Sequence, residues 1–398
     1  MRSIRWIRRI LGFAAVAAAP GLSQAQVTLI GIGSLPGNSS DLSGLKEKFP
    51  DGTPANRLGG LGSAIAFSGK GNLYVLASDR GPKDGAIDYP CRIHTMEITV
   101  SPDSKNPVRL KLASTTLLTN EAGQPFSGAL ATIDKKAPEK SRRLDPEGVR
   151  VGPKGEILIS DEYGPFLYEF DANGKRTRNY PVPAKFLPTK ISAKPEEELP
   201  PKNFVGRQPN RGMEGLAISP DGSKLIGIMQ SPLIQDGGVD SLKQRVGRNC
   251  RILELNRETG KTREFVYQLE NPGVGVSEIL ALNDYEYLVL ERDGKANKEA
   301  TFKKVFKIDT RMATEVSLLD KLPPLNLPSG IMPVAKTLFI DLLDRSFKLS
   351  GTDLPEKFEG MTFGPDLPDG RRLLLITADN DFVASAPFRV YAFAVGKP

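Results

Sequence analysis

Carboxylates recur at one position of a repeated pattern, directly before glycine at the start of short apolar runs. The clearest steps are Asp-Pro-Glu-Gly at 145–148, Met-Glu-Gly at 213–215 and Phe-Glu-Gly at 358–360. A second acidic position ends the following apolar run. We assign as candidate metal ligands the acids at these two positions, Glu147, Glu214, Glu278, Glu359, Asp79, Asp161 and Asp379. Carboxylates that lie close together repel each other unless a cation sits among them, and Ca²⁺ prefers hard oxygen ligands. The sequence therefore predicts one or two Ca²⁺ sites.

The same segments carry cations that could bind an anionic substrate. Arg80, Arg211 and Arg292 adjoin the acids, and guanidinium groups pair bidentately with phosphate oxygens. Tyr163 is a further candidate for substrate contact. A metal-bound water could then act as the nucleophile. The alternative interpretation is that the acids cap neighbouring strands and pair with these arginines, and that the Glu-Gly steps serve only packing.

Other chemistries are excluded by composition. The chain has one histidine, His94, and two cysteines, so a zinc site of the usual His/Cys ligand count is not available. No Gly-x-Ser-x-Gly elbow accompanies His94, and Gly-rich phosphate-binding and dinucleotide-binding loops are absent. A lone histidine in an apolar run favours a structural role.

Antiparallel hairpins would bring the two acidic positions together. Residues 144–176 contain three short apolar runs separated by Gly, Pro, Asn and Asp, which is typical of β-hairpins. If the first strand begins at Glu147 and the second ends at Asp161, the turn at Lys154 lies at the opposite end of the hairpin. Both acidic positions would then share one edge of the sheet.

Five segments repeat this pattern, beginning near Gly62, Leu144, Asn210, Val276 and Lys357. Four-stranded units that repeat in this way predict a β-propeller, because one sheet cannot cover both of its own faces. We expect an all-β propeller of five four-stranded blades. A sixth, degenerate blade remains open, within 38–58 or near 334–342. The last repeat ends at its third strand, so the run at 27–34 is predicted to add the missing outer strand and close the ring.

The first 25 residues have the pattern of a secretory signal peptide. Four arginines precede the apolar run 10–22, and Ser23-Gln24-Ala25 fits a cleavage site. Arg8-Arg9 leaves twin-arginine export open. Loss of this segment would lower the formal net charge from +7 to +3, and no basic block indicates nucleic-acid binding. We expect residues 26–398 to form one periplasmic or secreted domain without a membrane span, its oligomeric state left open.

An exported chain can keep a disulfide. Cys91 and Cys250 both precede Arg-Ile, at equivalent positions of two repeats and after long loops. A Cys91–Cys250 disulfide is predicted if those loops lean over the channel, although their Cα atoms must approach within about 7 Å. Two free thiols are the alternative.

Three blocks resemble those of a known family. They are DPEGVRVGPKGEILISDEYGPFLYEFDANGK from Asp145, NRGMEGLAISPDGSKLIGIMQSPL from Asn210 and FEGMTFGPDLPDGRRLLLITADNDF from Phe358. The chain is similar over most of its length to the phytase-like propeller family, labelled "esterase-like activity of phytase". The resemblance implies an exported propeller, a hydrolase activity and calcium binding. We therefore expect a calcium-dependent hydrolase of phosphate or carboxylic esters, with a small anionic or ester substrate. A non-enzymatic binding propeller and a lactonase-type calcium propeller are the alternatives.

Overall fold

The computed structural model describes residues 27–396, and the predicted signal peptide lies outside them. In this part of the chain, twenty β-strands form five antiparallel sheets of four strands each. The sheets are the blades of a five-bladed β-propeller, as the repeats predict. Among residues 27–396, no helix has the length and apolar character needed to cross a membrane.

Blades 1 to 4 each use four consecutive strands, from the innermost to the outermost. Blades 1 and 2 consist of β2 (Leu61–Phe67), β3 (Leu73–Ser78), β4 (Arg92–Val100), β5 (Val108–Leu117), β6 (Pro146–Val151), β7 (Ile157–Asp161), β8 (Leu167–Phe170) and β9 (Arg176–Tyr180). Blades 3 and 4 consist of β10 (Met213–Ile218), β11 (Lys224–Met229), β12 (Asn249–Asn256), β13 (Thr262–Gln268), β14 (Gly275–Ala281), β15 (Glu286–Arg292), β16 (Lys303–Asp309) and β17 (Ala335–Asp341).

Blade 5 joins the two ends of the described chain. It contains β18 (Lys357–Phe363), β19 (Arg372–Asp379), β20 (Phe388–Val395) and, as its outermost strand, β1 (Val27–Leu35). β1 pairs antiparallel with β20 over its whole length. The prediction that the N-terminal run closes the ring is therefore confirmed.

The described residues contain no sixth blade. Ala335–Asp341, within one of the two candidate regions, is the outermost strand of blade 4. Residues 38–58, the other region, make only the isolated bridges Ser40–Arg57 and Lys48–Pro54. Five blades account for every strand between residues 27 and 396.

Apolar clusters fill the spaces between adjacent blades. One cluster joins blade 4 to blade 5 through Leu290 and Phe358, and another joins blade 5 to blade 1 through Leu375 and Leu76. The remaining three boundaries have clusters of the same kind. Because side chains on both faces of the inner and middle strands are buried in this way, the blades need no separate core.

The inner strands β2, β6, β10, β14 and β18 contact each other in that order around the axis. Each pairs with the next strand of its blade so that its first residues lie opposite the last residues of that strand. Pro146 pairs with Asp161, and Lys357 pairs with Asp379. The hairpin geometry inferred from residues 144–176 is confirmed, and it brings the two acidic positions to one end of the central channel.

Candidate active site

A cavity of about 150 Å³ lies at this end of the channel. Glu147, Glu214 and Glu359 reach it from three inner strands, β6, β10 and β18. Glu162, directly after β7, and Glu356, directly before β18, add two further carboxylates. The cationic residues in the wall are Arg80, Arg211, Arg245, Arg292 and Lys357. The cavity, called the chamber below, is therefore polar, and its wall carries both acidic and basic side chains.

A β-bulge at the start of the inner strands aims the glutamates into the cavity. In blades 2 and 3 the register shifts at Glu147 and at Glu214, so that each glutamate is the unpaired residue of its strand. A bulge of this kind redirects a side chain. The following glycine is a packing residue: a Cβ on Gly148 would lie 2.7 Å from the Cβ of Leu216 in the next blade. The Glu-Gly step thus serves both the cavity and the packing of the blades.

Glu278 does not line the cavity, unlike the three other predicted glutamates. In blade 4 the bulge falls on Ser277, and Glu278 pairs with Leu290 just as Gly148 pairs with Ser160 in blade 2. Glu278 is fully buried deeper in the channel. Its Oε2 lies 3.0 Å from Nη2 of Arg150, and its Oε1 accepts hydrogen bonds from the amides of Leu216 and Ile279. The sequence Val-Ser-Glu-Ile is offset by one residue from Met-Glu-Gly-Leu, and this offset moves the side chain to another layer.

Asp79 belongs to two groups of closely spaced carboxylates. In the first group, oxygens of Asp79, Asp145 and Glu147 lie within 4.8 Å of one another, and all three residues are buried. In the second group, Asp79 lies near Asp379 and Asp381. Neither Asp79 nor Asp379 lines the cavity itself. The first group adjoins the cavity through Glu147, and the second group adjoins it through Lys357, a wall residue that contacts all three of its acids.

The second group already has a cation. Nζ of Lys357 lies 3.6 Å from Asp79, 3.7 Å from Asp379 and in direct contact with Asp381. In the first group Asp145 is bound by Arg80, whose Nη1 lies 2.6 Å from its carboxylate. Glu147 makes no ion pair with a residue of the described range. The first group is therefore the less compensated one and the better candidate for an additional cation.

The predicted substrate-binding arginines differ in their partners. Arg80 contacts Asp145, Glu162 and the Asn210 side chain, and Arg292 lies 2.5 Å from Glu359. Arg211 lines the same cavity, and within residues 27–396 its guanidinium donates one side-chain hydrogen bond, to Ser231 Oγ at 3.2 Å. Of the three, only Arg211 has a guanidinium that is not engaged by a carboxylate.

Two further predicted site residues, Asp161 and Tyr163, lie outside the cavity and hold the loop after β7. Asp161 accepts hydrogen bonds from the amides of Asp145, Tyr163 and Gly164. Tyr163 is buried, and its hydroxyl donates to the carbonyl of Gly128 at 2.8 Å. Tyr163 instead lines a neighbouring space of about 180 Å³ together with Arg80 and Asn210.

Burial makes the cavity acids hard to ionise. It raises the pKa of Glu214 well above its usual value, and the neighbouring Glu162 and Glu359 raise it further. The pKa of Glu147 is raised in the same way, mainly by burial and then by the nearby charge of Glu214. For Asp79, burial opposes ionisation but Arg80 and Lys357 together outweigh it, so its pKa is lowered. Carboxyl groups whose pKa values are shifted in opposite directions therefore lie next to one another, at Glu147 in the wall of the cavity and at Asp79 just outside it. This is an arrangement found at catalytic sites.

Several carboxylate oxygens remain unbonded. Glu214 Oε2 and Glu359 Oε2 are buried and have no hydrogen-bond partner, while Glu214 Oε1 accepts from Gln230 Nε2 at 2.5 Å. An unpartnered buried oxygen is costly. The Asp79, Asp145 and Glu147 group offers only oxygen donors, which fits a hard cation such as Ca²⁺, and Glu214 and Glu359 line the adjoining chamber.

The disulfide prediction is wrong. Cys91 and Cys250 are both buried free thiols. Cys91 donates to the carbonyl of Leu144 at 3.3 Å and packs between blades 1 and 2, whereas Cys250 packs between blades 3 and 4. Equivalent positions in non-adjacent blades stay apart because a whole blade separates them.

His94 is also remote from the cavity. The ring is buried in β4, with Nε2 3.1 Å from Ser78 Oγ and Nδ1 3.0 Å from Thr115 Oγ1. Burial lowers its pKa to about 3, with a further contribution from Arg92. The histidine is therefore neutral near pH 7 and bridges strands of blade 1.

The residues of the site that sequence reasoning missed as candidate ligands or substrate contacts include Asp145, Arg245 and Lys357. Asp145 stands two residues before Glu147, and Lys357 stands two residues before Glu359. These neighbours could have been included by extending each acidic step by two residues. Arg245 lies in the loop between β11 and β12, and nothing in its sequence context indicates that it reaches the cavity.

The fold and the site together define the class of this protein. It is a five-bladed β-propeller with a charged chamber at one end of its central channel. Residues 56–382 match the family model described as "Phytase-like: Esterase-like activity of phytase", and the chain belongs to that family.

The individual proteins that this chain resembles share 29% sequence identity with it or less. An "Uncharacterized secreted protein" of Arthroderma benhamiae is 29% identical over 344 residues, which are 69% of this chain and 64% of that protein. Among solved structures, the PQQ-bound aldose sugar dehydrogenase of Streptomyces coelicolor is 11% identical over 89% of this chain and 83% of its own, with a TM-score of 0.35. A luciferin-regenerating enzyme is 12% identical over 85% of this chain and 94% of its own, with a TM-score of 0.36.

Proposed function

We propose that the chain is a secreted, calcium-dependent hydrolase of phosphate or carboxylic esters, and that the chamber at the channel mouth is its active site. The observation that carries this proposal is the position of Glu214. Its buried carboxyl has one unbonded oxygen in a cavity that also contains Glu162 and the unpaired guanidinium of Arg211. The predicted signal peptide and the name of the Arthroderma relative support secretion.

Glu162 and Glu214 supply acid–base chemistry in this proposal. Both side chains line the chamber, and the negative charge of Glu162 raises the pKa of Glu214 after the larger effect of burial. Glu214, whose raised pKa favours the protonated carboxyl, can give a proton to the leaving oxygen, and Glu162 can take a proton from an attacking water.

Asp79, Asp145 and Glu147 would hold the cation, with Glu214 and Glu359 in reach of the same chamber. A bound Ca²⁺ would polarise the ester oxygen and lower the pKa of a water molecule. Gln230 fixes one oxygen of Glu214 by its hydrogen bond and leaves the other oxygen without a partner. Arg211 would bind the negative charge of the substrate.

Hydrolysis of a panel of phosphomonoesters, carboxylic esters and lactones, with added Ca²⁺, tests the proposal. We expect Glu214→Gln to lower kcat at least 100-fold, the lower range for loss of a general acid or base. Glu258→Gln, which changes an exposed acid in the turn between β12 and β13, is the matched control. Opening of lactones alone would favour a lactonase-type propeller. Absence of turnover on all three substrate classes would contradict the hydrolase and favour a binding propeller.

A further inference from the structure

Two cations of the chamber have no acidic partner. Arg80, Arg292 and Lys357 each contact a carboxylate, as described above. Arg211 and Arg245 line the same chamber, yet within residues 27–396 neither has a carboxylate oxygen within 4.0 Å of its guanidinium. The chamber therefore contains two guanidinium groups whose charge is not neutralised by ion pairing.

These two side chains come from loops that meet above blade 3. Arg211 follows Asn210, which has a left-handed backbone at φ 55°, and stands two residues before β10. Arg245 belongs to the loop between β11 and β12, where it bridges to Val239, and its side chain is exposed at the rim. The loops thus present one guanidinium from the wall and one from the rim of the same space.

Their proximity is unfavourable without a ligand. Burial lowers the pKa of Arg211 to about 10, and the charge of Arg245 lowers it further, whereas Glu162 and Glu214 act in the opposite direction. At the rim, partial desolvation and then the charge of Arg292 lower the pKa of Arg245. Like charges in a partly desolvated space repel, and an anion between them would relieve that repulsion.

We propose that Arg211 and Arg245 form a receptor for a dianionic oxyanion. Two planar guanidinium groups offer paired N–H donors and two positive charges, which match a phosphate group or a dicarboxylate better than a monoanion. The acids in the wall of the chamber belong to the proposed hydrolytic machinery. The assignment of this dianion as the charged part of a substrate rests on the proposed function, whereas its binding does not.

Calorimetric titration of the full chain at pH 8, in low salt and with a chelator present, tests the receptor directly. The probes are inorganic phosphate, malonate and acetate. We expect phosphate or malonate to bind at least tenfold more tightly than acetate. Arg211→Met and Arg245→Met should each weaken that binding at least tenfold. Lys243→Met, an exposed substitution on the same loop and outside the chamber, should leave it unchanged.

The two dianionic probes distinguish the chemical classes of ligand. A preference for phosphate points to phosphate esters, and a preference for malonate points to dicarboxylates. No binding of either dianion would overturn the receptor. Binding that survives both Arg variants, or that Lys243→Met weakens equally, would also overturn it. If the native chain binds the dianion but hydrolyses no ester, that result would contradict the proposed function and leave the receptor standing. Hydrolysis with a KM unaffected by Arg245→Met, an exposed position where misfolding is not expected, would contradict the receptor as a substrate site.

Discussion

Arg150 and Glu278 form a buried ion pair between blades 2 and 4, with 3.0 Å between Nη2 and Oε2. The same guanidinium donates to the carbonyls of Ile65 in blade 1, at 3.1 Å, and Ile279 in blade 4, at 2.7 Å. One side chain therefore ties three inner strands together in the middle of the ring. The position of Glu278 below the chamber is explained by this structural role.

Breaking this pair should destabilise the propeller. Arg150→Met leaves the Glu278 carboxyl buried without its cation, and the loss of one partner of a buried pair costs about 3–5 kcal/mol. The double variant Arg150→Met, Glu278→Leu should recover a large part of that loss, because no unpaired charge remains. Chemical denaturation measures both, with Lys154→Met in an exposed turn as the control. Equal stability of Arg150→Met and the native chain would contradict the role assigned to the pair.

The pH dependence of the free energy of unfolding should reveal the ionisation of Glu278. Burial raises its pKa to about 7 from 4.5, although Arg150 acts in the opposite direction. The folded state then binds more protons than the unfolded state between about pH 4.5 and pH 7, so this group's contribution to stability falls as the pH rises through that window. In Glu278→Gln, urea denaturation as a function of pH should show a smaller decline over this range than in the native chain. An unchanged pH profile would show that Glu278 ionises normally.

Substitution of a glycine in the Glu-Gly step should disturb the packing between blades. A Cβ on Gly148 would lie 2.4 Å from Ser160 Oγ and 2.7 Å from Leu216 Cβ. Overpacking of this kind costs about 1–3 kcal/mol, so Gly148→Ala should lower the melting temperature. Gly294→Ala, whose added Cβ would meet its nearest neighbour at 3.7 Å, is the comparison for stability. A Gly148→Ala chain as stable as Gly294→Ala would remove the packing explanation.

Both cysteines should behave as inert thiols. Burial raises the pKa of Cys91 and of Cys250 well above the usual value, which suppresses the reactive thiolate. Without any reductant, a thiol reagent should label neither residue in the folded chain and both after denaturation. A mass increase of two hydrogens on reduction would instead reveal a disulfide and contradict the free thiols.

The repeat pattern was sufficient to predict the ring and its closure. Short alternating runs and turn residues recur at each blade, and the unpaired third strand near Val395 requires a partner such as β1. The convergence of Glu147, Glu214 and Glu359 also follows from sequence, because antiparallel pairing fixes which ends of the strands meet.

Other features depend on relationships that a repeat pattern does not contain. Glu278 lies in a different layer because a bulge falls one residue earlier in blade 4, and a slip of one residue changes the direction of a side chain. The disulfide prediction was wrong because Cys91 and Cys250 occupy equivalent positions in two different blades, at the same distance from the axis but far from each other. The partners of Arg80 come from three separate segments, so its pairing depends on tertiary contacts.

The central claim is that the acids of the chamber hold a divalent cation. Calorimetric titration of Ca²⁺ into the chelator-treated chain, with melting temperature as a second readout, tests it most directly. We predict measurable heat and a higher melting temperature with Ca²⁺, since a ligand that binds only the folded state stabilises it. Glu147→Gln should weaken binding at least tenfold, whereas Glu258→Gln should not. No heat and no change in melting temperature in the native chain would contradict the account.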